Sequence, residues 1–142
     1  MEYRHTQYSS IILISAIIIL YWTCRYVSIL NLSLIIPTVL LSIFACFFLL
    51  FSLTVEIKNG FVQCIFGHGL IRKRIKLTEI RQVHPVKNPW YEGWGIHWVP
   101  GKYVVWNVSG FDAVEIQLST LRRVRIGTNE PEKLTQAILL NM

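Results

Sequence analysis

At 142 residues, with fourteen Lys/Arg against eight Asp/Glu, the chain has room for one ordinary domain or for an apolar anchor with a small one, which excludes a multidomain assembly. The charge is unevenly placed. Residues 1–53 hold only Glu2, Arg4 and Arg25, leaving a net charge of about +5 on residues 54–142. Cys24, Cys46 and Cys64 show neither a CxxC nor a metal-ligand spacing; this excludes a disulfide framework or zinc module and reads as small buried hydrophobes in a reducing compartment.

Two apolar runs open the chain. The first, Ser9–Leu30, is uncharged as far as Cys24; Arg25 then follows, with Tyr21, Trp22 and Tyr26 around it as in an interfacial aromatic belt. The second, Leu34–Leu53, is twenty residues without a charge, and Pro37 sits in its first turn. The pattern predicts a two-helix transmembrane hairpin over residues 1–53, with spans of about 9–30 and 34–53 and a turn near Asn31-Leu32-Ser33. Arg4, Lys58, Arg72 and Lys73 flank one side of it and Arg25 the other. The positive-inside bias therefore predicts a multi-pass inner-membrane chain with both termini cytoplasmic. No A-x-A site follows the first run, so it does not read as a cleaved signal peptide.

From residue 54 the pattern changes to alternation, the mark of half-buried strands. Thr54–Lys58 puts Val55 and Ile57 on one face, and Asn59-Gly60 is a two-residue hairpin turn leading into Phe61–Phe66. After the turn Gly67-His68-Gly69, Leu70–Leu77 alternates Ile71, Ile75 and Leu77 with Arg72, Arg74 and Lys76. Lys73 falls on the apolar side, where it must reach past the core or lie at an edge. Further strands are expected at Glu79–Val86, Gly95–Val99, Lys102–Val108, Val114–Ser119 and Arg123–Gly127. A final amphipathic helix is expected at about 130–140, with Asn129 as N-cap and Glu132 completing a capping box. About seven antiparallel strands closed by one helix make a β-barrel or sandwich over residues 54–142.

Several segments carry a family resemblance: the strand pair Val55–Phe66, Ile75-Lys76-Leu77-Thr78-Glu79-Ile80, Gly93-Trp94-Gly95-Ile96, Asn107-Val108-Ser109-Gly110, Val114-Glu115-Ile116 and Arg125-Ile126-Gly127-Thr128-Asn129-Glu130-Pro131. In these the chain resembles the bacterial PH-like (pleckstrin-homology-like) domain membrane proteins, an uncharacterised family. The resemblance implies an α+β membrane protein, with a transmembrane helical hairpin followed by a PH-like antiparallel β-barrel and C-terminal capping helix. It supplies no catalytic residue.

Two groups of residues are candidates for function. Arg72, Arg74 and Lys76, at spacing two, form a basic stripe on one sheet face, and Arg122, Arg123 and Arg125 a second cluster. Either could hold anionic lipid headgroups or a partner, or be a solvated face. The aromatic, glycine-rich stretch 88–106 offers Trp90, Tyr91 and Trp98 as interfacial aromatics, whereas Trp94 and Trp106 are expected to fill the core. His5, His68, His84 and His97 are scattered, and HExxH, GxSxG, Walker A and GxGxxG are all missing from the sequence. The reading is thus a membrane-anchored cytoplasmic binding or adaptor module, not an enzyme, with no metal or cofactor. Its expected partners are membrane lipids or a membrane protein, and not nucleic acid. The alternative is a scaffold subunit of a larger membrane complex. Oligomeric state is left open.

Overall fold

The computed structural model describes residues 2–30 and 35–142. A short strand β1 (Tyr3–Tyr8) leads into helices α1 (Ser10–Leu30) and α2 (Ile35–Leu49). Eight more strands follow: β2 (Ser52–Lys58), β3 (Phe61–Phe66), β4 (Ile71–Lys76), β5 (Ile80–Lys87), β6 (Gly95–Val99), β7 (Tyr103–Asn107), β8 (Asp112–Leu118) and β9 (Arg123–Gly127). Helix α3 (Pro131–Leu139) ends the chain. The strands form two sheets, a four-stranded one in the order β1-β2-β3-β4 and a five-stranded one in the order β5-β8-β9-β7-β6.

The expected transmembrane hairpin is corrected. Among the described residues, no helix is long and apolar enough to cross a membrane. Helix α2 has 15 residues, a rise of about 22 Å against the roughly 30 Å of a hydrocarbon core. The multi-pass inner-membrane placement with both termini cytoplasmic falls with the hairpin. The turn expected at Asn31-Leu32-Ser33, and the burial expected of Cys46, lie outside what is described. Cys24, also expected inside, is exposed. The two helices pack on each other, with a small gap between them lined by Ile19, Thr23, Pro37, Leu40 and Phe44, and leave Ile14, Ile17, Trp22, Leu41 and Phe48 exposed.

The expected all-antiparallel barrel is corrected too. Strand β9 inserts between β8 and β7, antiparallel to β8 but parallel to β7 through Val104↔Val124 and Trp106↔Ile126. Strand β1 was not foreseen: its six residues pair with β2 from Tyr3↔Ile57 to Tyr8↔Ser52. Local signals elsewhere act as the chemistry demands. Asn59 and Gly60 take φ of 52° and 77°, the two positive values that a tight turn between right-twisted strands needs. Val62, Cys64, Phe66, Val114, Ile116 and Ile126 interleave in one core between the sheets. Helix α3 lays Leu134 and Ile138 into that core, against β5 and β8. Its N-cap is Glu130, without a side-chain cap. Asn129 instead bonds His5 Nε2 at 2.5 Å, tying β1 to the helix start.

A basic, aromatic groove beside two sheet edges

The groove is built on the inner face of the five-stranded sheet. Register places Trp98, Val104 and Val124 side by side, with Ile96, Trp106 and Ile126 in the next row. The four-stranded sheet and α3 bury Trp106 and Ile126 but leave Trp98 68 % exposed. Strand β4 is the edge of the smaller sheet and β6 an edge of the larger one. A groove of about 590 Å³ opens where they approach, lined by Lys73, Trp98, Val104, Trp106, Leu118 and Val124, and by the turn residues Gly101, Lys102, Leu121 and Arg122, with Tyr103 and Arg123.

Three cations, Lys73, Lys102 and Arg122, therefore converge, Arg123 lines the rim with its guanidinium turned to Glu115 on the outer face, and no carboxylate is among the described lining residues. Lys73 stands opposite Cys64, on the face that elsewhere is core, and escapes burial because β4 is an edge. Lys102 comes from the β6–β7 turn. Arg122 and Arg123 follow Leu121, whose φ of 64° is costly for a branched side chain. That turn is fastened by Leu121 N–H to Leu118 C=O and Leu118 N–H to Arg122 C=O, both 2.9 Å, which fixes the two arginines at the rim. Among the described residues Lys73, Lys102 and Arg122 have no ion pair, while Arg123 reaches Glu115 at 3.7 Å.

The outer face of the same sheet has a different polar system. Register aligns His84, Glu115, Arg125, Val105 and His97 in one row across all five strands. Arg125 Nε donates to Glu115 Oε2 at 2.7 Å, with side-chain exposures of only 15 % and 6 %. Its guanidinium lies 3.6 Å from the centre of the Tyr103 ring. The β5–β6 connection, residues 88–94, crosses this row as a strap, because β5 and β6 are opposite edges. It is held by Arg125 to Asn88 Oδ1 (3.3 Å), Tyr103 O–H to Glu92 Oε1 (2.5 Å) and Trp94 Nε1–H to Gly110 C=O (3.3 Å). Burial, and then the hydrogen bond to the Glu92 carboxylate, push the Tyr103 phenol up to about 12.

The structure thus sorts the candidates. Arg122 and Trp98 meet in the groove, with Arg123 at its rim and its guanidinium towards Glu115. Arg72, Arg74 and Lys76 lie on the other face of β4, opposite Ile65, Gln63 and Phe61. There Arg72 donates to Gly69 C=O (2.6 Å), Arg74 to Gln63 Oε1 (3.2 Å), and Lys76 pairs with Glu79 at 3.8 Å. Arg125 is a partly buried structural cation. Trp90 and Tyr91 stand 79 % and 71 % exposed on the strap, apart from the groove. Trp106 is in the core as expected, but Trp94 is half-exposed. Lys102 and Tyr103 were not foreseen as site residues, and Lys73 was marked only by its wrong-side position in an alternating strand. Compared with known proteins, the chain matches no family model, no curated protein and no solved structure.

Proposed function

We propose that the protein is a non-enzymatic binding module of adaptor type, whose groove takes anionic groups presented by a lipid headgroup or a protein partner. One observation carries this reading: Lys73, Lys102 and Arg122, none of them ion-paired among the described residues, come from three separate segments and converge on one aromatic-walled groove whose described lining holds no carboxylate. Like charges gathered this way repel one another unless an anion is present, and low-dielectric walls strengthen the field that attracts it. The volume is that of a ligand site. The resemblance to PH-like domain proteins in the quoted sequence segments belongs to the same reading. A second reading, a scaffold for a larger complex, is favoured by the exposed apolar faces of α1 and α2, since contiguous apolar surface marks interaction sites.

The test uses the full chain and two probes, phosphatidylglycerol vesicles and poly-L-glutamate, with phosphatidylcholine vesicles as control. Salt-sensitive binding to either anionic probe, lost when Lys73, Lys102, Arg122 and Arg123 are all replaced by Gln, supports the reading. The probe that binds identifies the source of the anion. Binding unchanged by the four substitutions, or no binding to either probe, overturns it.

A further inference from the structure

Strand β4 is an unusual edge. Among the described residues it pairs with β3 on one side and with no strand on the other, yet it is not blunted by a proline or a bulge. Instead Arg72, Lys73, Arg74 and Lys76 are all exposed along its six residues. Such an edge resists pairing with a second copy of itself, because like charges would stand opposite one another. An acidic strand meets no such resistance.

We propose that β4 is a strand-addition site: an extended acidic segment of a protein partner pairs with its free edge and lies along the mouth of the groove. This goes beyond the anion-binding reading: the edge takes a peptide backbone, and the acidic set meets the stripe on the face of β4 away from the groove cations. The geometry sets the partner's pattern. Side chains alternate between the two faces of a sheet with a period of two. In an added strand, one set points to the same side as Lys73, towards Trp98, Trp106 and Leu118 of the groove wall. The other set points to the side of Arg72, Arg74 and Lys76. The partner therefore alternates apolar and acidic residues. Backbone hydrogen bonds hold the strand, the groove selects the apolar set and the stripe selects the acidic set. The basic stripe and the groove, separate as side-chain sites, become two faces of one recognition surface.

The test titrates the full chain with a capped eight-residue peptide in which Glu and Val alternate. Two controls accompany it: a block peptide of four Glu then four Val, and alternating peptides N-methylated along one edge or the other. Strand addition requires the alternating peptide to bind at least tenfold more tightly than the block peptide. N-methylation of the pairing edge must abolish this advantage, and amide exchange must slow within residues 71–76. Equal binding of block, methylated and alternating peptides overturns strand addition while leaving the groove's anion binding intact. Binding of phosphatidylglycerol vesicles with no binding of any peptide also overturns it. Failure of every anionic probe, peptides, vesicles and poly-L-glutamate alike, overturns both strand addition and the groove reading.

Discussion

Replacing Arg125 by Met should cost the fold about 3 kcal/mol, although Arg125 looks like one more cation of a basic cluster. Its Nε lies 2.7 Å from Glu115 Oε2, and the Glu115 side chain is only 6 % exposed. Removing one partner of such a pair strands the other charge in poor solvent, a loss of roughly 3–5 kcal/mol. The lower end applies because Glu115 keeps His84 at 3.6 Å and Arg123 at 3.7 Å, both about half exposed and hence weaker. Met matches much of the arginine's volume, so the charge is what is removed. For a domain of this size the loss appears as a fall in melting temperature of about 10 °C. By contrast, Lys87 and Asp112 are 4.0 Å apart and exposed, and Lys87→Gln should cost at most about 0.5 kcal/mol. Chemical denaturation of both variants, with Glu115→Gln completing a double-mutant cycle, reads these numbers. If Arg125→Met unfolds within 0.5 kcal/mol of the parent but loses anion binding, then Arg125 is a ligand-binding residue and the assignment made for it is wrong.

Two further outcomes follow from packing and burial. Gly127→Ala should destabilise by about 2–3 kcal/mol, because its Cβ would sit 2.0 Å from Asn107 Oδ1 and 3.0 Å from Asn107 Cα. Asn107 cannot swing aside without breaking its bonds to Gly110 C=O and Ser109 N–H. Gly101→Ala meets nothing within 4 Å and should cost only the roughly 1 kcal/mol of a left-handed backbone; equal losses at the two positions would refute the close approach. Stability should also fall with rising alkalinity. Burial pushes the Cys64 thiol up to about 12 from 9.0, and Tyr103 is raised to about 12 from 10.0. Both groups fold in the neutral form, so their contribution is complete below the unfolded values and lost between about pH 9 and 12. Tyr103→Phe should remove the part lost above pH 10, and a pH-stability curve identical to the parent's contradicts this.

Much of the larger sheet was legible in the sequence. Strong local signals set β6 to β9 within a residue or two: alternation in Val114-Glu115-Ile116, and the Pro100-Gly101 turn. What depends on distant partners was not. The residues of β1 are mostly polar, and become a strand by pairing with β2, distant in the chain, with Gln7 to Ser109 C=O and His5 to Asn129 as further ties across the fold. The parallel pairing of β7 and β9 leaves no trace in either strand's own pattern. The helices show the converse failure: apolar composition spoke for two spans, whereas crossing also needs length, which α2 at 15 residues lacks. In the site, arginines at 122, 123 and 125 looked alike. Alternation puts 123 and 125 on one face, but only the burial of Glu115 on the next strand separates their roles.

The central claim is that anions bind in the groove and not at the exposed strap. The five tryptophans make this directly measurable from their indole N–H resonances during titration of the full chain with poly-L-glutamate. The account requires the Trp98 and Trp106 signals to move with the titration and to stop moving in the Lys73→Gln, Lys102→Gln, Arg122→Gln, Arg123→Gln variant, while Trp90 stays fixed. Movement of Trp90 with Trp98 and Trp106 unchanged would contradict it.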